Sequence, residues 1–192
     1  MLETFSPTAS YFEILDAPVA VDDVTLTRKF RELSRKYHPD RWATADTETQ
    51  AQALDASAFL NDAYRTLRDP FTRAEYLLRR ERGVNLAENK GTVKPPQELF
   101  AQVLELQEAL MEFREAQMED DDATIAQLRP TLESARTEFE SAYQGMADRL
   151  QTLFVVWDAK TDHEKTLDAL AEVIGTRGYL RRVLGNLNDT LR

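Results

Sequence analysis

The chain has 192 residues and a mass of 22.0 kDa, room for one medium domain or two small ones. Its 34 Asp and Glu outnumber 24 Lys and Arg, and the formal charge of −10 argues against nucleic acid as the main partner and against a polybasic membrane anchor, since both need a basic surface. The lack of Cys, with only two His, excludes disulfides, zinc fingers, thiolate-held iron–sulfur clusters and a cysteine nucleophile, while 42% hydrophobic content is too high for a disordered chain and six Gly with seven Pro are too few for turn-rich β structure.

The opening Met1-Leu2-Glu3-Thr4-Phe5 has neither a basic n-region nor an apolar h-region, so no signal peptide is expected. No apolar run approaches the roughly 18 residues of a membrane span. The expectation is a soluble, cytoplasmic protein.

Helical periodicity dominates. Leu26, Phe30, Leu33 and Tyr37 form one stripe, with Asp22 as a candidate N-cap and Val21 and Leu26 as a hydrophobic staple. Pro39 disfavours helical geometry at His38, so this helix is predicted to stop near Tyr37. A second stripe, Ala53, Ala56, Leu60, Ala63 and Leu67, is predicted to start at Thr44 or Asp46 and to end before Asp69-Pro70. A shorter helix carries Phe71, Ala74, Tyr76, Leu77 and Leu78, and Gly83 closes it.

Residues 83–95 read as a linker between a domain at 1–82 and another at 96–192. Three longer helices follow. The first spans about Pro96 to Met118. The second carries Ile125, Leu128, Leu132, Ala135, Phe139, Ala142, Met146 and Leu150, with Pro130 either kinking it or marking its first turn. The third is predicted to open on a Thr161-x-x-Glu164 capping box and carries Leu167, Leu170, Ile174, Leu180, Leu184, Leu187 and Leu191. No strand signal appears. The fold class is all-α: an antiparallel helical hairpin with a polar loop, then a three-helix antiparallel bundle.

The loop His38-Pro39-Asp40 follows a basic helix. Between Val24 and Trp42, six cations (Arg28, Lys29, Arg31, Arg35, Lys36, Arg41) face two anions (Glu32, Asp40). A positive helix in an acidic chain points to an acidic protein partner. Pro39 stiffens the tip, so His38 and Asp40 project from a preorganised loop. Taken alone, His-x-Asp is usually a capping or surface pair. A metal site would lack nitrogen and sulfur ligands. A catalytic dyad would need a nucleophile or a cleft, and neither is marked, so no catalytic residue and no cofactor is assigned.

On the first helix of the second domain, Leu99, Val103, Leu106, Leu110 and Phe113 form a core stripe. Phe100, Leu104 and Met111 centre roughly 120° away, beside Ala101, Glu105, Glu108 and Glu112. This second stripe either packs inside the molecule or meets a partner. Residues 98–125 hold nine acids and one base, opposite in sign to the basic helix.

Tyr11-Phe12-Glu13-Ile14-Leu15, Leu26 to Asp40 and Asn61-Asp62-Ala63-Tyr64-Arg65-Thr66-Leu67-Arg68-Asp69-Pro70 together resemble the J domain of DnaJ-type co-chaperones. The sequel Pro70-Phe71-x-Arg73-Ala74-Glu75-Tyr76-Leu77-Leu78, and then Leu99 to Leu110, resemble HscB-type co-chaperones of iron–sulfur cluster assembly. The resemblance implies a protein that is not an enzyme. It would stimulate the ATPase of a DnaK/HscA-type chaperone and deliver the iron–sulfur scaffold protein to it. It implies chaperone contacts at His38, Pro39, Asp40, Arg28, Lys29, Arg31, Arg35 and Lys36. It implies scaffold contacts at Phe100, Ala101, Leu104, Glu105, Glu108, Glu112 and Tyr179. Ala101 departs from the family's usual large apolar residue, and Trp42 replaces a common Phe. Against this stands a J-domain protein whose bundle recruits a different client, or a helical scaffold with an incidental loop. A monomer is expected, with no nucleic acid or membrane partner.

Overall fold

A computed structural model describes residues 9–83 and 97–192. Most of the expected linker, and the N-terminal segment, lie outside these residues. The elements are α1 (Tyr11–Ile14), α2 (Asp23–Tyr37), a 3-10 turn (Pro39–Trp42), α3 (Thr47–Arg68), α4 (Pro70–Arg82), α5 (Gln97–Met118), α6 (Asp122–Asp158) and α7 (His163–Thr190), with no strand among the described residues.

The helix limits follow from side-chain caps. Asp22 accepts from Thr25 N at 2.8 Å, Asp46 from Thr49 N at 2.8 Å, and Asp69 from Phe71 N at 2.9 Å. Asp46, not Thr44, therefore starts α3. Gly83 ends α4 at φ +66°, a left-handed position that favours glycine. The short α1 was not foreseen. It is held by a Ser10–Glu13 capping box and by Tyr11, whose ring stacks on Tyr76 at 4.4 Å.

In the N-terminal unit α2 and α3 pack antiparallel. Leu26, Leu60, Ala63 and Leu67 are buried between them, and Phe30 stacks on Tyr64 at 4.1 Å. In the C-terminal unit α5, α6 and α7 form the bundle around Val103, Phe113, Leu132, Leu150, Phe154, Leu170 and Leu180.

Two expectations are corrected. Thr161 does not cap α7: Asp162 does, from a left-handed conformation, and its carboxylate accepts from Lys165 N. Thr161 Oγ1 instead points back to Val156 O at 3.4 Å. Glu164 is drawn away from any capping box by Arg82, as described below. Pro130 is not in a first turn. The helix starts at Asp122, whose preceding Asp121 accepts from Ala123 N and Thr124 N, so Pro130 stands about two turns inside a helix about 55 Å long.

The two units share one continuous core, which runs from Phe12, Leu26 and Leu77 to Phe154, Leu170 and Leu187. Polar contacts stitch the join. The Asp158 carboxylate, at the end of α6, accepts from Val19 N at 3.0 Å and from Ala20 N at 2.8 Å. Buried Arg73 donates to Leu67 O (2.7 Å), Val19 O (2.9 Å) and Val21 O (2.9 Å), with its guanidinium 5.2 Å from the Phe154 ring. Arg177 of α7 stacks over Phe71 of α4 at 3.7 Å.

Candidate functional site

Two surfaces stand out, on different packing units. The polar turn packs on α3, whereas α5 packs on α6 and α7.

At the first surface, α2 stops because His38 turns extended (φ −62°, ψ 127°) ahead of Pro39. Pro39 opens the 3-10 turn, and His38 Nδ1 caps it by accepting from Asp40 N at 3.3 Å. An accepting Nδ1 puts the proton of the neutral ring on Nε2, so the tip offers an N–H donor. His38 and Asp40 are both exposed, with Nδ1 3.6 Å from Asp40 Oδ2. Trp42 Nε1 donates to Lys36 O at 3.1 Å and tethers the turn to the last turn of α2. A Phe at this position could not make that bond, so the substitution noted in the sequence adds a fastening.

Arg28, Arg31 and Arg35 lie at i, i+3 and i+7 on one exposed face of α2. Arg28 Nη1 lies 3.2 Å from Glu32 Oε1, an exposed pair that water and salt can open. Lys36 extends the face, with its ammonium 5.3 Å from the Tyr37 ring centre. Lys29 differs from the rest. It is half-buried, with Nζ 2.7 Å from Asp16 Oδ2 and also donating to Asp16 O. This lowers the Asp16 carboxyl below its usual range, first through the hydrogen bond and then through the charge. Lys29 thus secures the loop between α1 and α2, and the solvent-exposed cations of the face are Arg28, Arg31, Arg35 and Lys36.

At the second surface, α5 turns Val103, Leu106, Leu110, Phe113 and Ala116 into the bundle. The expected second stripe faces outward: Phe100 is 55% exposed, Leu104 53% and Met111 71%. Met118, which the sequence reading passed over, is 80% exposed. Ala101, Glu105, Glu108 and Glu112 are all exposed beside the stripe. Exposed apolar side chains aligned in this way and bordered by charge make a candidate interaction surface.

Tyr179 lies on α7, half-buried and packed against the core, with Arg182 Cζ 6.0 Å from its ring centre. Burial raises its phenol pKa. Its height relative to α5 can be read from Arg114, whose Nε and Nη2 donate to Thr190 Oγ1 at 3.0 and 2.8 Å. The α5 and α7 helices run parallel. Tyr179 lies about three turns before Thr190, and Val103 about three turns before Arg114. Tyr179 is therefore at about the height of Val103.

The residues that join the two units, Arg73, Asp158 and Arg82, were not singled out from the sequence. Their partners are distant in the chain, and only Asp69-Pro70-Phe71-x-Arg73 offered a local signal. No group of three or more His, Cys, Asp or Glu is placed to hold a metal among the described residues.

Residues 10–76 match the DnaJ domain family. A co-chaperone protein HscB homolog of Vibrio cholerae is 39% identical over 103 residues, which cover 53% of this chain and 59% of that relative. One from Shewanella amazonensis is 40% identical over 103 residues, covering 58% of its length. The matches thus span little more than half the length of these relatives. Among solved structures, the chaperone HscB from Vibrio cholerae superposes with a TM-score of 0.57 at 26% identity, covering 94% of this chain and 96% of that one. The human co-chaperone protein HscB shares the fold, with a TM-score of 0.58 at 19% identity over 97% of this chain and 84% of the other.

Proposed function

Since the chain is an HscB-type J-domain protein, we propose that it is a co-chaperone of iron–sulfur cluster assembly that joins two partners and performs no chemistry of its own. His38, Pro39 and Asp40, with the cation face of Arg28, Arg31, Arg35 and Lys36, engage an acidic surface of a DnaK/HscA-type chaperone and stimulate its ATPase. The α5 face of Phe100, Ala101, Leu104, Glu105, Glu108 and Glu112, together with Tyr179, holds the iron–sulfur scaffold protein. The chain acts in the cytoplasm as a monomer.

The observation that carries this reading is the pairing of two exposed, oppositely charged surfaces on one continuous core. A basic helix beside a rigid polar tip suits one partner, and an acid-bordered apolar stripe suits another. Opposite fields steer two partners to different ends of the molecule.

The test measures the chaperone's ATP hydrolysis with and without this chain, and scaffold binding by calorimetry. His38→Gln should abolish the stimulation and leave scaffold affinity unchanged. Absence of stimulation by the unaltered chain would refute the co-chaperone role. Stimulation without scaffold binding would favour a J-domain protein that recruits a different client.

A further inference from the structure

We propose that the docking seam on α5 continues through Met111 to Met118 at the end of the helix, and that the partner covers it with an apolar strip carrying basic side chains along one edge only. This rests on the reading of α5 as the scaffold-binding face and extends it in length and in the charge pattern it demands.

At 100° per residue, Phe100, Leu104, Met111 and Met118 fall within about 40° of one direction on α5. All four are more than half exposed. From Phe100 to Met118 the helix rises about 27 Å, so the apolar residues are spread over nearly its whole length, with exposed Gln107 between Leu104 and Met111. Single exposed hydrophobic residues are ordinary, but four aligned along one helix are a partner surface. Two of the four are methionines, whose unbranched thioether chains adapt to a partner's contours.

The charge around this line is one-sided. Glu115, Glu108, Glu112 and Glu105 follow on one flank, about 60° to 140° round the helix from Phe100, and all four are exposed. The opposite flank carries Arg114, the one base of α5, and both of its donating nitrogens are directed to Thr190 of α7. That side borders α7, so the carboxylates line the edge away from it. A strip covering the seam therefore meets four carboxylates along one edge and neutral or already bonded groups along the other. A second copy of this chain would bring the same acid-bordered strip, with no additional base on its α5, so like charges disfavour self-pairing there.

The experiment measures binding of the iron–sulfur scaffold protein by titration calorimetry to four forms of the full chain: unaltered, Met111→Ser with Met118→Ser, Phe100→Ser with Leu104→Ser, and Glu115→Lys. Because every altered side chain is exposed, circular dichroism should show the same helix content throughout. The methionine pair should raise Kd about tenfold or more, as expected when interface anchors are truncated. Glu115→Lys should raise Kd and reduce its salt dependence. An unchanged Kd in the methionine variant, with a raised Kd in the Phe100 and Leu104 variant, would overturn the extension and leave the shorter docking face standing. An unchanged Kd in both would overturn the docking reading itself. An unchanged Kd for Glu115→Lys would overturn the one-edged basic strip. A dimer in sedimentation that the methionine substitutions dissolve would assign the seam to a second copy instead.

Discussion

Arg82 Nη1, in the last turn of α4, lies 2.8 Å from Asp168 Oδ1 on α7, across the join between the J domain and the bundle. The same guanidinium places Nη2 2.6 Å from Glu164 Oε2 and also donates to Glu164 O. These hydrogen bonds, with the two charges behind them, raise the Arg82 pKa. Both carboxylates are largely exposed, so solvent screens much of the attraction. Arg82→Ala should lower stability by about 1 kcal/mol at low salt. Urea titrations in low and in 1 M salt should show that difference shrinking; a loss independent of salt would point to packing by the arginine stem instead.

Arg73 has a different balance. It is 3% exposed, and its three acceptors are backbone carbonyls of the join. Burial lowers its pKa, while Asp158, Asp23 and Asp69 oppose that shift. Arg73→Met keeps much of the apolar stem but leaves three carbonyls without their donor. The cost should be about 3 kcal/mol in urea denaturation. Arg73→Lys should recover only part of it, because one ammonium cannot reproduce the fork of the guanidinium.

Acid should weaken the helix starts together. Asp22 and Asp46 lie below the usual aspartate range chiefly because they accept from the backbone N–H of Thr25 and Thr49, and Asp121 chiefly because it accepts from the Thr124 hydroxyl. A depressed folded pKa contributes stability that is present above the unfolded value, about 4, and lost as pH falls through the folded value. Glu75 works the other way: burial raises its carboxyl, so its protonation favours the fold as pH falls. The urea midpoint should hold between pH 7 and about 5 and drop below about 4. Asn at all three caps should flatten the drop, because Asn still accepts from the backbone but does not titrate. An undiminished drop in that triple variant would place the acid sensitivity elsewhere.

The Trp42 indole tests what stiffens the polar tip. Trp42→Phe removes the bond to Lys36 O while keeping an aromatic ring against Tyr37, Ala53 and Ala56. The expected loss is about 1 kcal/mol of stability. If the bond also orders the tip, amide exchange at Asp40 and Arg41 should quicken more than exchange in the middle of α3. Equal acceleration at both would mean that the loss is global.

Much of this architecture is legible from residue spacing because burial imposes it. Leu26 to Tyr37 and Ala53 to Leu67 line the faces where α2 meets α3. Phe100, Leu104 and Met111 break the single-face pattern on α5, and the structure leaves them outside. The signal fails where the cause is remote. Four-residue α1 is too short to show a period; beyond its local Ser10-x-x-Glu13 capping box it is held by Tyr76, far along the chain. The start of α7 looked like a capping box at Thr161, but Arg82 from the other unit takes Glu164, and Asp162 supplies the cap. Lys29 resembled its basic neighbours by composition; only the fold of the preceding loop, which brings Asp16 beside it, sets it apart. Arg73 reads as one more helix arginine until Val19 and Val21 turn their carbonyls toward it.

The Asp158 carboxylate at the end of α6, accepting two backbone N–H groups of the J domain, has a consequence for how the molecule melts. With Arg73 over Phe154 and Arg177 over Phe71, it ties the two halves at separate points, so neither half opens without breaking contacts of the other. Heating should produce one calorimetric transition, with van't Hoff and calorimetric enthalpies in agreement. An excised J domain would carry Phe71 without its Arg177 lid and Arg73 without Phe154, and would melt well below the whole chain.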